Sequence, residues 1–102
     1  MVSRRIRNLS LEGGEKMLEE KFVIQNKTGL HARPASLFVK KASSFKSSVK
    51  LIKDDNEIDA KSMLSVLTLG AGQGSTIKIV TDGEDEQDAM NELIKLLQDV
   101  ED

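Results

Sequence analysis

One stretch, Thr28 to Ser36 (TGLHARPAS), constrains the fold more than any other part of the chain. Before it, Leu18 to Gln25 (LEEKFVIQ) alternates, with Phe22 and Ile24 on one side and Val23 and Gln25 on the other. A period of two predicts a strand with one buried face. After it, Ala35, Phe38, Val39, Ala42 and Phe45 recur at the spacing of an amphipathic helix over Ala32–Phe45. Asn26-Lys27-Thr28-Gly29 supplies turn chemistry between the two. The only proline, Pro34, falls in the first helical turn, where amides have no internal partner to lose. The only histidine, His31, falls where the strand-turn ends and the helix begins. Outward-pointing amides and the positive end of the helix dipole make such a place receptive to phosphate. An imidazole there can also act as a nucleophile.

Downstream, Ser48–Asp54 predicts a second strand with Val49 and Leu51 on one face, and Asp54-Asp55-Asn56 a hairpin turn. Glu57–Ala60 reads as a short third strand. Ser62 is placed to cap a short helix, Met63–Leu69, which stops at Gly70. Gly70–Gly74 is a loop, and Ser75–Thr81 a fourth strand with Ile77 and Ile79 in phase. Gly83 breaks it, and Asp85 or a neighbour caps a last helix running to about Val100. Its apolar stripe is Ala89, Leu93, Leu96, Leu97 and Val100, while Glu84, Asp85, Glu86 and Asp88 suit the positive helix end. The order β-α-β-β-α-β-α predicts one sheet with helices on one face, an α+β two-layer domain.

Residues 1–16 stand apart. Arg4, Arg5, Arg7 and Lys16 against Glu12 and Glu15 make them +2, so a total of −2 leaves −4 on the rest. Gly13-Gly14 reads as a joint, and Met17 could serve as an alternative start. The expectation is a flexible N-terminal extension, residues 1–16, followed by one domain over 17–102. A net charge of −2 and only three aromatic residues do not predict nucleic-acid binding by the domain. With no cysteine there is neither a disulfide framework nor a thiolate metal site. Asp54–Asp59 fails as a calcium loop because Ile58 occupies a ligand position. No metal and no cofactor are therefore expected. No apolar run approaches the roughly 20 residues of a membrane span, and the default expectation is a cytoplasmic protein without membrane insertion.

Gly29-Leu30-His31-Ala32-Arg33-Pro34-Ala35 resembles the phosphohistidine motif of the HPr family, the histidine-containing phosphocarriers of the bacterial sugar phosphotransferase system. The likeness continues through Lys61-Ser62-Met63, the pattern to Leu69-Gly70 and the strand from Gly74 to Val80, in order over residues 18–100. It implies the HPr-like open-faced two-layer β-sandwich, one four-stranded antiparallel sheet with three helices on one face. It also implies a carrier rather than an enzyme. His31 would receive phosphate on Nδ1 from phosphorylated enzyme I and pass it to IIA domains of sugar permeases. Arg33 and the first-turn amides, Ala32 included, would hold the anion. Pro34 would fix the geometry, and Thr28 could add a hydroxyl.

By the same resemblance Ser62 is the regulatory serine that an HPr kinase/phosphorylase phosphorylates, in a form that can bind a catabolite repressor. Its charge would oppose acidic partners. Met63, Leu64 and Leu67 are more apolar residues than so short a helix can bury fully; the resemblance implies that they form an exposed patch beside His31 that docks enzyme I and IIA domains, ringed by Lys27, Arg33, Lys40, Lys41, Lys46 and Lys61. Such carriers are expected to be monomers. Two other readings compete. One is a regulatory member of the family, in the nitrogen-related branch or acting through Ser62. The other is a binding module that uses the Arg-rich tail on an anion.

Overall fold

The computed structural model describes residues 3–7 and 17–100. Five strands and three helices follow one another: β1 (Ser3–Arg7), β2 (Met17–Val23), α1 (Ala32–Ser43), β3 (Ser48–Lys53), β4 (Asn56–Asp59), α2 (Met63–Thr68), β5 (Thr76–Asp82) and α3 (Glu86–Gln98). The expected four-stranded antiparallel sheet with its three helices is present, in the order β2-β5-β3-β4. The strand nearest the C-terminus thus lies between β2 and β3.

The alternating residues meet in register. Phe22 stands opposite Ile77, Ile79 opposite Leu51, and Thr81 opposite both Leu18 and Val49. All of them are buried. Onto this face α1 sets Pro34, Ala35, Phe38 and Ala42, and α3 sets Ala89, Met90, Leu93, Ile94 and Leu97. The short α2 contributes Val66. The β3–β4 turn has positive φ at both central residues, Asp54 (50°) and Asp55 (69°). That is the turn type whose twist matches paired strands, and short acidic side chains tolerate it.

Two expectations need correction. The extension 1–16 is not all outside the fold, because Ser3–Arg7 forms a fifth strand, antiparallel to the outer edge of β2. Ser-Arg-Arg-Ile-Arg has a single apolar residue and so carries little periodicity by which to predict a strand. The Gly13-Gly14 joint lies outside the described residues.

The second concerns Asp85. It is the N-cap of α3 by position, yet its side chain makes no cap bond. Its carboxylate instead accepts from the amides of Lys46 and Ser47, each at 2.9 Å, and from the Ser47 hydroxyl at 2.5 Å. The Ser47 hydroxyl first, and then the Lys46 amide, pull its pKa down from 3.8 to about 2. Gly83 packs on the same residue; a Cβ there would lie 2.7 Å from Ser47 Cα. The carboxylate thereby ties the start of α3 to the loop between α1 and β3. Glu86, one residue on, accepts from the Gly83 amide at 3.0 Å.

Candidate functional site

The turn before α1 is held at several points. Gly29 N donates to Asn26 O at 3.2 Å, and the Asn26 side chain donates back to Gly29 O at 2.9 Å. The same amide group lies 3.5 Å from Thr28 Oγ1. Gly29 has φ +66°, and its missing side chain leaves room for Ala71 and Gly72 to press against it. Leu30 N donates to Ala71 O at 2.9 Å, while the Leu30 side chain is buried. The loop after α2 therefore fixes the residue immediately before His31.

His31 is the N-cap of α1, with extended backbone (φ −81°, ψ −173°) and no side-chain cap bond. Its ring is not used to close the helix end, and the residue is exposed. Its carbonyl accepts from Ala35 N at 2.9 Å, the first intrahelical bond. That leaves the amides of Ala32 and Arg33 outside the intrahelical ladder; Pro34 has none. Pro34 stands third in the helix, at no cost in hydrogen bonds, and is buried together with Ala35. The rigid, buried part of the motif thus anchors its exposed part, His31-Ala32-Arg33. The first turn of α1 contains no acidic residue. The head of α1 beside His31 thus has two amides outside the ladder and the positive helix end, with no first-turn carboxylate opposing them.

The second predicted element runs antiparallel to the first. The end of α2 leads to Ala71, which bonds Leu30 at the start of α1. At its other end Lys61 Nζ donates to Phe45 O, beyond the end of α1, at 2.9 Å. Ser62 caps α2 as expected, with its hydroxyl accepting from Ser65 N at 3.3 Å. Ser62 therefore lies at the end of α2 away from His31. At 1.5 Å per residue the six residues of α2 rise about 9 Å from one end to the other.

The docking residues divide. Leu64 is 72% exposed and Leu67 39%, three residues apart on the outer side of α2. Met63 does not join them, since it is partly buried against the core. Lys40 is exposed, but Lys41 turns to α3, 3.6 Å from Glu92. Lys61 is engaged with Phe45. Sequence reasoning missed Leu37, which is 50% exposed one helical turn beyond Arg33. It placed Asn26 in the turn without its bond to Gly29 O, and it missed Ala71. Asn at the head of a turn is a recognisable signal, whereas nothing local marks Ala71. Among the described residues no group of three or more His, Asp or Glu side chains could hold a metal ion, and no helix is long and apolar enough to cross a membrane.

Residues 18–99 match the family described as PTS HPr component phosphorylation site. The chain belongs to the HPr family. Its relatives include the HPr-like protein Crh of Halalkalibacterium halodurans, 44% identical over 80% of this chain and 98% of that one. They also include the phosphocarrier protein HPr of Cupriavidus necator, 44% identical over 79% of this chain and 91% of that one. The crystal structure of HPr-C-His from Thermoanaerobacter tengcongensis superposes with a TM-score of 0.76 at 44% identity, covering 78% of this chain and 90% of that one. A second structure from that organism, described as an HPr dimer, has a TM-score of 0.65 at 44% identity, over 76% and 88%. HPr-family proteins are phosphocarriers, carriers rather than catalysts, and both HPr and Crh names occur among the relatives. The HPr match begins at residue 18, so β1 lies outside it.

Proposed function

We propose that this HPr-family chain carries a phosphoryl group on His31, taken from phosphorylated enzyme I and given to IIA domains of sugar permeases. The observation that supports this most is the exposed, uncommitted ring at the head of α1, beside the Ala32 and Arg33 amides and without a first-turn carboxylate. The Nδ1 lone pair attacks phosphorus as the bond to the donor breaks, and the negative oxygens pass to the amides and Arg33. Onward transfer is the same step in reverse order. Solvent and salt screen the bonds to an exposed anion, which favours its release to the next acceptor. Pro34 and the Asn26 turn keep the acceptor in place, and Thr28 lies at its margin.

Leu64 and Leu67, with Leu37, form the apolar part of the surface that partners dock on, and Lys40 and Arg33 supply positive charge for encounters with acidic partners. On this reading the protein works in the cytoplasm, as a monomer, without a cofactor, metal or nucleic acid. Incubation with phosphoenolpyruvate and enzyme I should give one acid-labile phosphoryl group, absent from His31→Ala. A wild-type chain that stays unlabelled would end the carrier reading.

A regulatory use of Ser62 has its own support, because the hydroxyl sits partly exposed at the head of α2, two residues before exposed Leu64. A phosphate there would add negative charge to the docking surface and oppose acidic partners. HPr kinase/phosphorylase with ATP should label the wild type and not Ser62→Ala. A catabolite repressor is then a candidate partner of the labelled form. A chain labelled at Ser62 but never at His31 would instead be the regulatory member of the family, in the nitrogen-related branch or a catabolite co-regulator.

A further inference from the structure

Strands β2, β5, β3 and β4 with the three helices make up the part that matches the HPr family, and β1 is added to the edge of that sheet. The edge of a sheet presents a row of backbone donors and acceptors open to another strand. Here the added strand matches its place in charge as well as in hydrogen bonding. The register sets Arg4 opposite Glu20, Arg5 opposite Glu19 and Ile6 opposite Leu18. Slipping β1 by two residues, which keeps its faces, weakens the match. One slip sets Arg4 against Leu18 and Arg5 against Met17; the other sets Arg5 against Lys21 and Ile6 against Glu20, and keeps one opposite-charge pair, Arg7 with Glu19, in place of two. A slip of one residue exchanges the faces.

Glu20 sharpens the choice. It is 2% exposed, in the same inward row of β2 as Leu18 and Phe22. A carboxylate so placed favours a strand that brings a cationic residue to the facing position, and disfavours one that does not. The connection does not impose this register. Arg7 and Met17 face each other at the about 5 Å of paired strands, whereas the nine residues between them could span about 30 Å. A two-residue hairpin turn would dictate pairing; this tether only keeps β1 nearby.

We propose that the outer edge of β2 is a strand-addition site selective for an extended segment of basic and apolar residues, and that β1 is its tethered occupant. The site is separate from His31 and stands whether or not His31 is phosphorylated. Vacated, it accepts the same segment as a free peptide.

The test pairs residues 17–102 with a synthetic peptide of residues 1–10, followed by amide shifts in NMR. Relatives that match only the core are solved structures of folded domains, so the core is expected to fold without β1. The expected result is saturable one-to-one binding with shifts concentrated in residues 17–23, weakened by salt. A peptide with Arg4→Glu and Arg5→Glu should bind about tenfold more weakly, since two opposite-charge pairs become like-charge pairs. The full chain should not respond at the same peptide concentration. Shifts elsewhere, no binding, or equal binding of the reversed peptide overturns the proposal.

Hydrogen exchange on the full chain is independent of the truncation. Arg5→Glu should quicken exchange of the outward amides of β2 about fivefold, and Arg5→Glu with Glu19→Arg should restore them. A double variant that exchanges as fast as the single one removes the charge selectivity.

Discussion

Replacing Gly29 by alanine tests the contact that sets the residue before His31. Two costs add at this position. With φ at +66°, the backbone is left-handed, which costs a residue with a Cβ about 1–2 kcal/mol. The new Cβ would also lie 2.6 Å from Gly72 Cα and still nearer to Ala71 O, both of them backbone atoms that cannot rotate aside. Overpacking of this kind costs about 1–3 kcal/mol. Gly74 separates the two terms, because it has φ +86° and a Cβ added there would meet nothing within 4 Å. Gly74→Ala should thus lose about 1–2 kcal/mol and Gly29→Ala about 2–5 kcal/mol. Urea unfolding followed by circular dichroism measures both, provided the m-values agree with the wild type. Relief of the overlap must move Ala71 or Leu30, and with them the amides beside His31. Phosphoryl transfer from enzyme I should therefore slow in Gly29→Ala and hold in Gly74→Ala, at a temperature where both are folded. Equal stability losses would refute the steric argument. A destabilised Gly29→Ala that accepts phosphate at the full rate would refute the link to His31.

Other outcomes follow from single contacts. Asp85→Asn should destabilise the fold at neutral pH. Because the folded pKa of Asp85 is depressed from 3.8 to about 2, the wild type's advantage is full above the unfolded pKa. It should shrink as pH falls through about 4 to 2, which pH-dependent urea titrations would show; an unchanging difference would contradict the role of the charge. Ser62→Ala removes the bond to Ser65 N and should cost about 0.5–1 kcal/mol, whereas Ser62→Asp should keep the cap and slow docking of enzyme I. Leu64→Ala should change stability by less than about 0.5 kcal/mol yet raise the KM for enzyme I, while Val66→Ala, at a buried position, should lose about 2 kcal/mol. A stability loss at Leu64 equal to that at Val66 would remove it from the docking surface.

The readable parts of this protein are those governed by neighbours in the chain. The change from a two-residue to a 3.6-residue period around Thr28–Ser36 is a local signal, and so are Ser62 as a cap, Gly70 as a stop and the Asp54-Asp55 turn. Each rests on hydrogen bonds or dihedral preferences within a few residues. They sufficed to put His31 at the head of a helix and to predict the sheet with helices on one face. Other features depend on groups brought together from far along the chain. The insertion of β5 between β2 and β3, the reach of Asp85 back to Ser47 and the contact of Gly29 with Ala71 and Gly72 join residues 26 to 63 positions apart. No period or local propensity encodes such pairs, because they form only when strand register and helix packing are satisfied together. The same holds for β1, whose few apolar residues gave no strand period but whose charges match β2 once the edge is in place. It holds too for the antiparallel course of α2, which sets Ser62 away from His31 and leaves Leu64 and Leu67 outward.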